Sequence, residues 1–323
     1  AGGRVADWGG NAKLGGDRLF VVEADEYDQA FLTLRPSVAV VNNIEADHLE
    51  CYGSLEALEE AFALFAGRAE YALLGADDAG ARRLARRLGE SAGRLAEQVW
   101  TFGLEGNDLV LSEVELGPDG SRANLTLPDR RRVVLRLVVP GLHNLRNATG
   151  ALGVVLALGG PVAPALEALA KYRGLGRRLE RLGEGRGIGF VDDYAHHPSE
   201  LVATLAAARQ AFPGRRIIAV FQPHLFSRTA QHGEAMGQAL AAADVAIVTE
   251  IYAAREQPMP GVSGRTVAAA AERAGATVVF EADKTRLRDR ILEIAQPGDV
   301  VITLGAGDVT RVARELAQWP QAA

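Results

Sequence analysis

The stretch IGFVDDYAHHPSELVATLAAARQA, residues 188–211, decides the fold of the second half of the chain. Its first residues, 188–191, form an apolar, β-rich run. Two aspartates, a tyrosine and two histidines follow, and then Pro198 and Ser199 open an amphipathic helix over 199–211. A proline at the first helical position costs no hydrogen bond, because the first N–H groups of a helix have no partner within it. Strand, polar turn, helix is the unit of a parallel α/β sheet. The unit recurs downstream, with strands expected at 216–221, 245–249, 277–280 and 299–304 and helices including 266–274 and 286–295. The strands are continuous apolar runs, as expected when helices cover both sheet faces. This half is therefore read as a doubly wound domain, with its ligand beyond the carboxyl ends of the strands. The polar clusters fall at those ends: DDYAHHP, QPHLFSR, EIYAAREQ and GAGD.

Upstream lies GLGRRLERLGEGRGIG, residues 174–189, rich in glycine and arginine and without a sustained period. It marks the expected domain junction, giving domains 1–174 and 175–323. The first domain reads as a mixed sheet with helices. Strands are expected at 18–23, 38–41 and 71–74, with helices at 55–66 and 78–88. Runs at 98–102, 109–116, 122–127 and 131–139, separated by Gly-Asn, Pro-Asp-Gly and Pro-Asp turns, suggest a small antiparallel meander. Helices over 144–158 and 161–171 complete it.

A chain of 323 residues suits two domains, and its 48% hydrophobic and 24% charged composition excludes disordered and fibrous classes. A formal net charge of −6 without like-charge blocks argues against a nucleic-acid or membrane-surface binder. The single cysteine, Cys51, excludes an internal disulfide and a cysteine-rich zinc site. No apolar run is long enough to span a bilayer and no secretory signal is visible, so a cytoplasmic monomer or weak homodimer is expected. Lysine occurs only at positions 13, 171 and 284, against 35 cationic side chains in total, a bias read as genome composition.

Several clusters are suited to chemistry. EADEYD (23–28) and NNIEADH (42–48) each follow an expected strand, and carboxylates there suit magnesium, which takes oxygen ligands. A solvated acidic turn is the plainer alternative. Glu23 and His48 stand at the ends of two strands that could be neighbours, so one cation could lie between them. In GLHNLRNATGA (141–151), Asn144 and Asn147 share a helix face and can match the donor–acceptor edge of adenine, although capping alone would explain Asn144. In DDYAHHPSE, His196 or His197 could meet an anion at the positive helix end. In FQPHLFSRT, His224 and Arg228 are available to a carboxylate. The chain contains no Gly-x-x-x-x-Gly-Lys-[Ser/Thr] phosphate loop, no zinc-protease or hydrolase motif and no complete dinucleotide fingerprint.

Taken in order, NAKLGGDRLFVVEADEYDQAFL, PSVAVVNNIEADHLECYGS, GLHNLRNATGA, GLGRRLE, VDDYAHHPSEL, FQPHLFSRT and GAGDVTRVA resemble the Mur ligase family, within it the branch that adds L-alanine to UDP-N-acetylmuramate. The resemblance implies a central ATPase domain, incomplete at its N-terminus, followed by a Rossmann-like C-terminal domain. It implies ATP-driven amide formation through an acyl phosphate, with ATP and Mg2+ as cofactors, in peptidoglycan precursor synthesis. Glu23 and His48 would hold the metal, with Asn144 and Asn147 on the adenine. Arg178 and Asp193 would hold the nucleotide from the second domain. His196, a catalytic candidate like Glu23 and His48, would face the substrates with His224 and Arg228. The helix expected at 55–66 lacks the lysine that later-acting relatives carbamylate, which fits the alanine-adding branch. The position after His224, often arginine in relatives, is Leu225. The family's uridine-nucleotide domain and phosphate loop are absent from the sequence, so the chain is expected to be a fragment inactive by itself. A ligase recycling murein tripeptide and a non-catalytic nucleotide-binding paralogue are the alternatives.

Overall fold

Alternating residues on the buried strands of the first half carry two different cores. The structure, a computed structural model, describes residues 3–90 and 98–318. Its strands there are β1 (Val38–Val41), β2 (Tyr71–Gly75), β3 (Val99–Gly103), β4 (Leu109–Gly117), β5 (Gly120–Thr126) and β6 (Arg132–Leu137), which form one six-stranded sheet in that order. On β2, Ala72 and Leu74 face the helices Leu55–Ala66 and Ala79–Gly89 through Leu58, Phe65, Leu84 and Leu88. Leu73 points the other way, into a core with Leu145 and Leu152 of the helix Leu142–Ala157. The period of two along a strand produces this division. Asp78 caps the helix Ala79–Gly89 by accepting from the Ala81 N–H at 2.7 Å, and also accepts from the Ile44 N–H at 3.0 Å. One carboxylate thus ties a helix start to the loop leaving β1.

The sheet departs from the expectation in two places. Residues 18–23 form no strand: Leu19, Phe20 and Val21 are exposed and no ladder partner lies beside them among the described residues. β-propensity describes how well a side chain fits a half-buried pleated surface, and without a neighbouring strand it does not fix the backbone. Glu23 therefore does not stand at a strand end. The meander is also not a separate sheet. β3 runs parallel to β2 and, over two residue pairs, to β4; only β4–β5–β6 is antiparallel. The Pro-Asp-Gly turn does form the β4–β5 hairpin. Gly120 sits there at φ 124°, where a Cβ would approach the Leu137 carbonyl oxygen to 2.0 Å.

The second half contains β7 (Glu180–Gly185), β8 (Ile188–Asp193), β9 (Ile217–Phe221), β10 (Val245–Thr249), β11 (Val278–Glu281) and β12 (Val300–Leu304). Their order is β11-β10-β9-β12-β8-β7, parallel except for β7. The helices Pro198–Ala211, Phe226–Leu240 and Gly264–Arg273 pack on one face against Ala219, Phe221, Val248 and Ile302. Leu287–Ile294 and Thr310–Ala317 pack on the other, against Ile218, Val220 and Val301. This is the expected doubly wound sheet, with an antiparallel edge strand that lies inside the segment read only as a junction. The alternation of glycine with charged residues in ERLGEG hides β7 from a hydrophobicity reading.

The chain divides into two compact units, residues 12–173 and residues 174–323, with residues 3–11 grouped with the second. The Gly176 N–H donates to the Arg4 carbonyl at 2.7 Å within that second unit. Among the described residues no helix is long and apolar enough to cross a membrane.

Candidate functional site

The carboxyl ends of the parallel strands in the second unit gather most of the residues singled out above. At the exit of β8, Asp193 is buried and accepts three hydrogen bonds, from the Leu179 N–H (2.7 Å), the Ala195 N–H (2.8 Å) and the Thr204 hydroxyl (3.1 Å). Burial pushes its carboxyl up to about 6, against the pull of those donors and of the Arg178 charge. Its oxygens organise the loops around them.

The preceding Asp192 is fully buried and accepts from the Thr303 and Thr310 hydroxyls, each at 2.6 Å. It also pairs with Arg177 Nε at 3.3 Å. The same guanidinium donates to the Gly305 and Gly307 carbonyls at 2.6 and 3.3 Å and lies 4.7 Å from the Tyr194 ring centroid. Arg177 therefore fastens the loop before β7 to the turn after β12. Reading GLGRRLE pointed to Arg178, which is more exposed and pairs with Glu200 at 3.2 Å. Charge alone does not separate adjacent arginines; the left-handed backbone of Arg177 (φ 57°) is invisible in sequence.

Glu200 is the organiser that the reading of single residues missed, although it stands three positions after His197, where a capping carboxylate belongs. Its Oε2 accepts from the N–H groups of His196 (2.9 Å) and His197 (3.2 Å), and it lies 3.2 Å from His196 Nδ1. Burial would raise this carboxyl, but the charges of His196 and Arg178 and the His196 N–H hold it below its ordinary value. His196 is thus aimed by an anion, and its ring meets that of His224 edge-on at 6.0 Å. His224 stacks on Tyr252 with centroids 5.7 Å apart and planes 13° apart. Burial, then the positive charges of His196 and Arg228, push His224 down to about 4, so it is neutral at pH 7. Its Nδ1 is buried and finds no hydrogen-bond partner among the described residues. Arg228 lies buried in the first turn of the helix Phe226–Leu240. Leu225 precedes that helix at φ 68° and contributes a buried aliphatic group, not a cation.

In the first unit His48 has a left-handed backbone (φ 54°) at the start of Leu49–Tyr52. The carboxylates within ion-pair reach of its ring are those of Asp47, Glu50 and Glu26, at 3.8, 3.6 and 3.9 Å. Tyr27 meets the ring edge-on at 5.1 Å, and the Tyr52 hydroxyl donates to the Glu26 carbonyl at 2.5 Å. Burial, followed by the charge of Glu26, pushes that hydroxyl up to about 12. Glu23 is exposed on the strandless segment. No group of three or more acidic, histidine or cysteine side chains is drawn close enough to hold a metal ion among the described residues. Asn144 and Asn147 lie on the helix Leu142–Ala157, whose cap is Gly141; Asn144 donates instead to the Pro140 carbonyl at 2.7 Å, and Asn147 is exposed. Beside them Arg146 pairs with Asp77 from the exit of β2, a contact between residues far apart in sequence.

Two family models match this arrangement unit by unit. The Mur ligase middle domain covers residues 12–155, and the Mur ligase glutamate ligase domain covers residues 177–307. A UDP-N-acetylmuramate–L-alanine ligase of Thermobifida fusca is 40% identical over 98% of this chain and 68% of its own length. The chain belongs to the Mur ligase family. A ligase of the same name from Mycolicibacterium vanbaalenii is 44% identical over 98% of this chain and 66% of its own length. The chain thus spans about two thirds of the length of the curated Mur ligases it matches. Among solved Mur ligases, the UDP-N-acetylmuramate–alanine ligase of Thermotoga maritima superposes with a TM-score of 0.72 at 27% identity, covering 89% of this chain and 60% of that one. A murein peptide ligase of Psychrobacter arcticus shares the fold, with a TM-score of 0.61 at 22% identity over 95% of this chain and 65% of that one.

Proposed function

We propose that the chain carries the middle and C-terminal parts of a cytoplasmic, ATP-dependent ligase that joins L-alanine to UDP-N-acetylmuramate in peptidoglycan precursor synthesis. One observation carries this reading: identity above 40% to ligases of that name over nearly the whole chain. ATP with magnesium supplies, when bound, the phosphoryl group that turns the muramate carboxylate into an acyl phosphate open to attack by an amine. The chain's own residues position and neutralise, which is most of what phosphoryl transfer asks of a protein. Glu23 and His48 are the residues that would hold the magnesium, with the carboxylates of Glu26, Asp47 and Glu50 near the imidazole. The amide of Asn147 stands open on its helix for the adenine edge, with Asn144 on the same face. Arg178 gives a cation, and Asp193 orients the loop that bears it. Neutral His224 can offer a ring nitrogen as a hydrogen-bond acceptor, Arg228 can balance a carboxylate, and His196 is held in place by Glu200.

The test joins the chain to the N-terminal third of the Thermobifida fusca relative and measures phosphate release with ATP, magnesium, UDP-N-acetylmuramate and L-alanine. The joined protein should release phosphate only when L-alanine is present, and the 323-residue chain alone should release none. His48→Ala or Glu23→Ala should lower turnover at least about 100-fold without unfolding it. Stimulation by murein tripeptide in place of L-alanine would overturn the substrate assignment, and alanine-dependent turnover by the chain alone would overturn the fragment reading.

A further inference from the structure

The sheet of the first unit ends on a strand whose outer side is open. β6 is bonded to β5 and to no other strand among the described residues, so one row of its N–H and C=O groups has no ladder partner. Such an edge is a template for a further strand. The pleat divides its side chains. Leu135 and Leu137 are buried in the core beneath the sheet, and Val133 packs against that core. Arg132, Val134 and Arg136 alternate with them on the outer face, where Val134 is 39% exposed. Val138, just past the strand, is 53% exposed.

The charges on that face are matched as far as β5 and no further. On β4, Glu113 accepts from the Asn124 amide at 2.7 Å and Glu115 from the Arg122 guanidinium at 2.6 Å, both donors lying on β5. β5 carries no carboxylate of its own. Its Arg122 stands directly opposite Arg136, and its Thr126 opposite Arg132. The acids of β4 thus stop one strand short of β6, and among the described residues no ion pair or side-chain hydrogen bond holds Arg132 or Arg136. Like charges directly opposite one another destabilise a sheet, and a carboxylate on a following strand would relieve this pair. A second copy of β6 is the wrong complement. Paired antiparallel with Val134 on Val134, it would set Arg132 against Arg136 twice. A nucleic acid would use the arginines but neither the open backbone row nor the exposed valines.

We propose that the free edge of β6 docks an extended acidic segment of a partner protein, which joins the sheet as an antiparallel strand. The segment's backbone bonds the open row. Two of its carboxylates meet Arg132 and Arg136 through charge-assisted hydrogen bonds, and an apolar residue midway between them covers Val134. The inference is independent of the ligase reading.

The experiment uses the 323-residue chain and a labelled peptide, Thr-Glu-Thr-Val-Thr-Glu-Thr, with binding read by fluorescence anisotropy and the contact located by hydrogen exchange. The peptide should bind at low ionic strength, weaken as salt rises, and add protection at residues 132–138. Arg132→Gln combined with Arg136→Gln should weaken it at least tenfold without changing the melting temperature. Exchanging both glutamates of the peptide for lysine should do the same on the wild-type chain, and this arm carries the test if the double variant melts early. N-methylating the central valine and the threonine after it, one of which must face β6, removes a ladder donor and keeps every side chain; it should also weaken binding at least tenfold. Undiminished binding of the lysine or N-methylated peptide, undiminished binding by a normally melting double variant, or no binding by the wild-type chain overturns the proposal. Displacement of the peptide by an equimolar single-stranded oligonucleotide, which marks a general anion patch, overturns it too, as does self-association of the chain that protects β6 without peptide.

Discussion

Replacing Asp192 by alanine tests whether the turn after β12 is held by a buried ionic network. The carboxylate is fully buried and receives two hydroxyls at 2.6 Å and the Arg177 guanidinium at 3.3 Å. Alanine leaves the Thr303 hydroxyl only its longer bond to the Val191 carbonyl at 3.3 Å, leaves Thr310 without its Asp192 acceptor and removes the counter-charge of Arg177. Breaking a buried pair from one side costs about 3–5 kcal/mol, and each abandoned polar group adds to or lies within that figure at about 1–3 kcal/mol. We expect a loss of about 3–5 kcal/mol in the second unit, or a fall in melting temperature of about 6–20 °C for a unit of this size. Two units need not unfold together, so the assay is native-state hydrogen exchange read by peptide. Protection should fall at residues 177–181 and 303–310 and should be unchanged across β1–β3. Thr303→Val, which deletes one hydroxyl and keeps the carboxylate, should cost only about 1 kcal/mol. A loss below about 1 kcal/mol for Asp192→Ala, or equal loosening of both units, would refute the network as the fastening of this turn.

Two further predictions concern the same end of the sheet. Asp193, raised in the fold to about 6, contributes stability that is present below its unfolded value near 3.8 and lost as pH rises through 6. His224, lowered to about 4, contributes stability that is present above its ordinary 6.5 and lost as pH falls through 4. The two slopes oppose each other between pH 4 and 6, so urea titrations should show His224→Gln becoming less stable relative to wild type as pH rises across that window; a parallel pH profile would contradict the opposition. Gly307→Ala drives a methyl group against Gln222 and Tyr252 and should cost about 1–3 kcal/mol, whereas Ala306→Gly beside it should cost less than 1 kcal/mol, both read from urea midpoints.

How much of this was legible in the sequence follows from what each residue's conformation depends on. The strands of the second unit were readable because both faces are buried, so that Ile217–Phe221 is wholly apolar and Val300–Leu304 is broken only by Thr303. Residues 18–23 also hold an apolar, β-rich run, Leu19 to Val22, and form no strand, because strand formation depends on a neighbour that composition does not encode. His196, His224 and Arg228 could be nominated because they follow strands in a doubly wound pattern, whose geometry brings such ends together. The roles of Arg177 and Gln222 could not, since each acts through partners set by topology, whereas Glu200 carried a local signal in its place three residues after His197. Gln222 meets Asp308 only because β12 inserts between β8 and β9. That insertion also explains why the site forms there. Arg177, Asp192, Gln222 and Asp308 all converge on the turn after β12, and each contact fixes the backbone that the next one needs. A sequence states the charges of such a site; the strand order decides which of them become rigid supports and which stay free to meet a ligand.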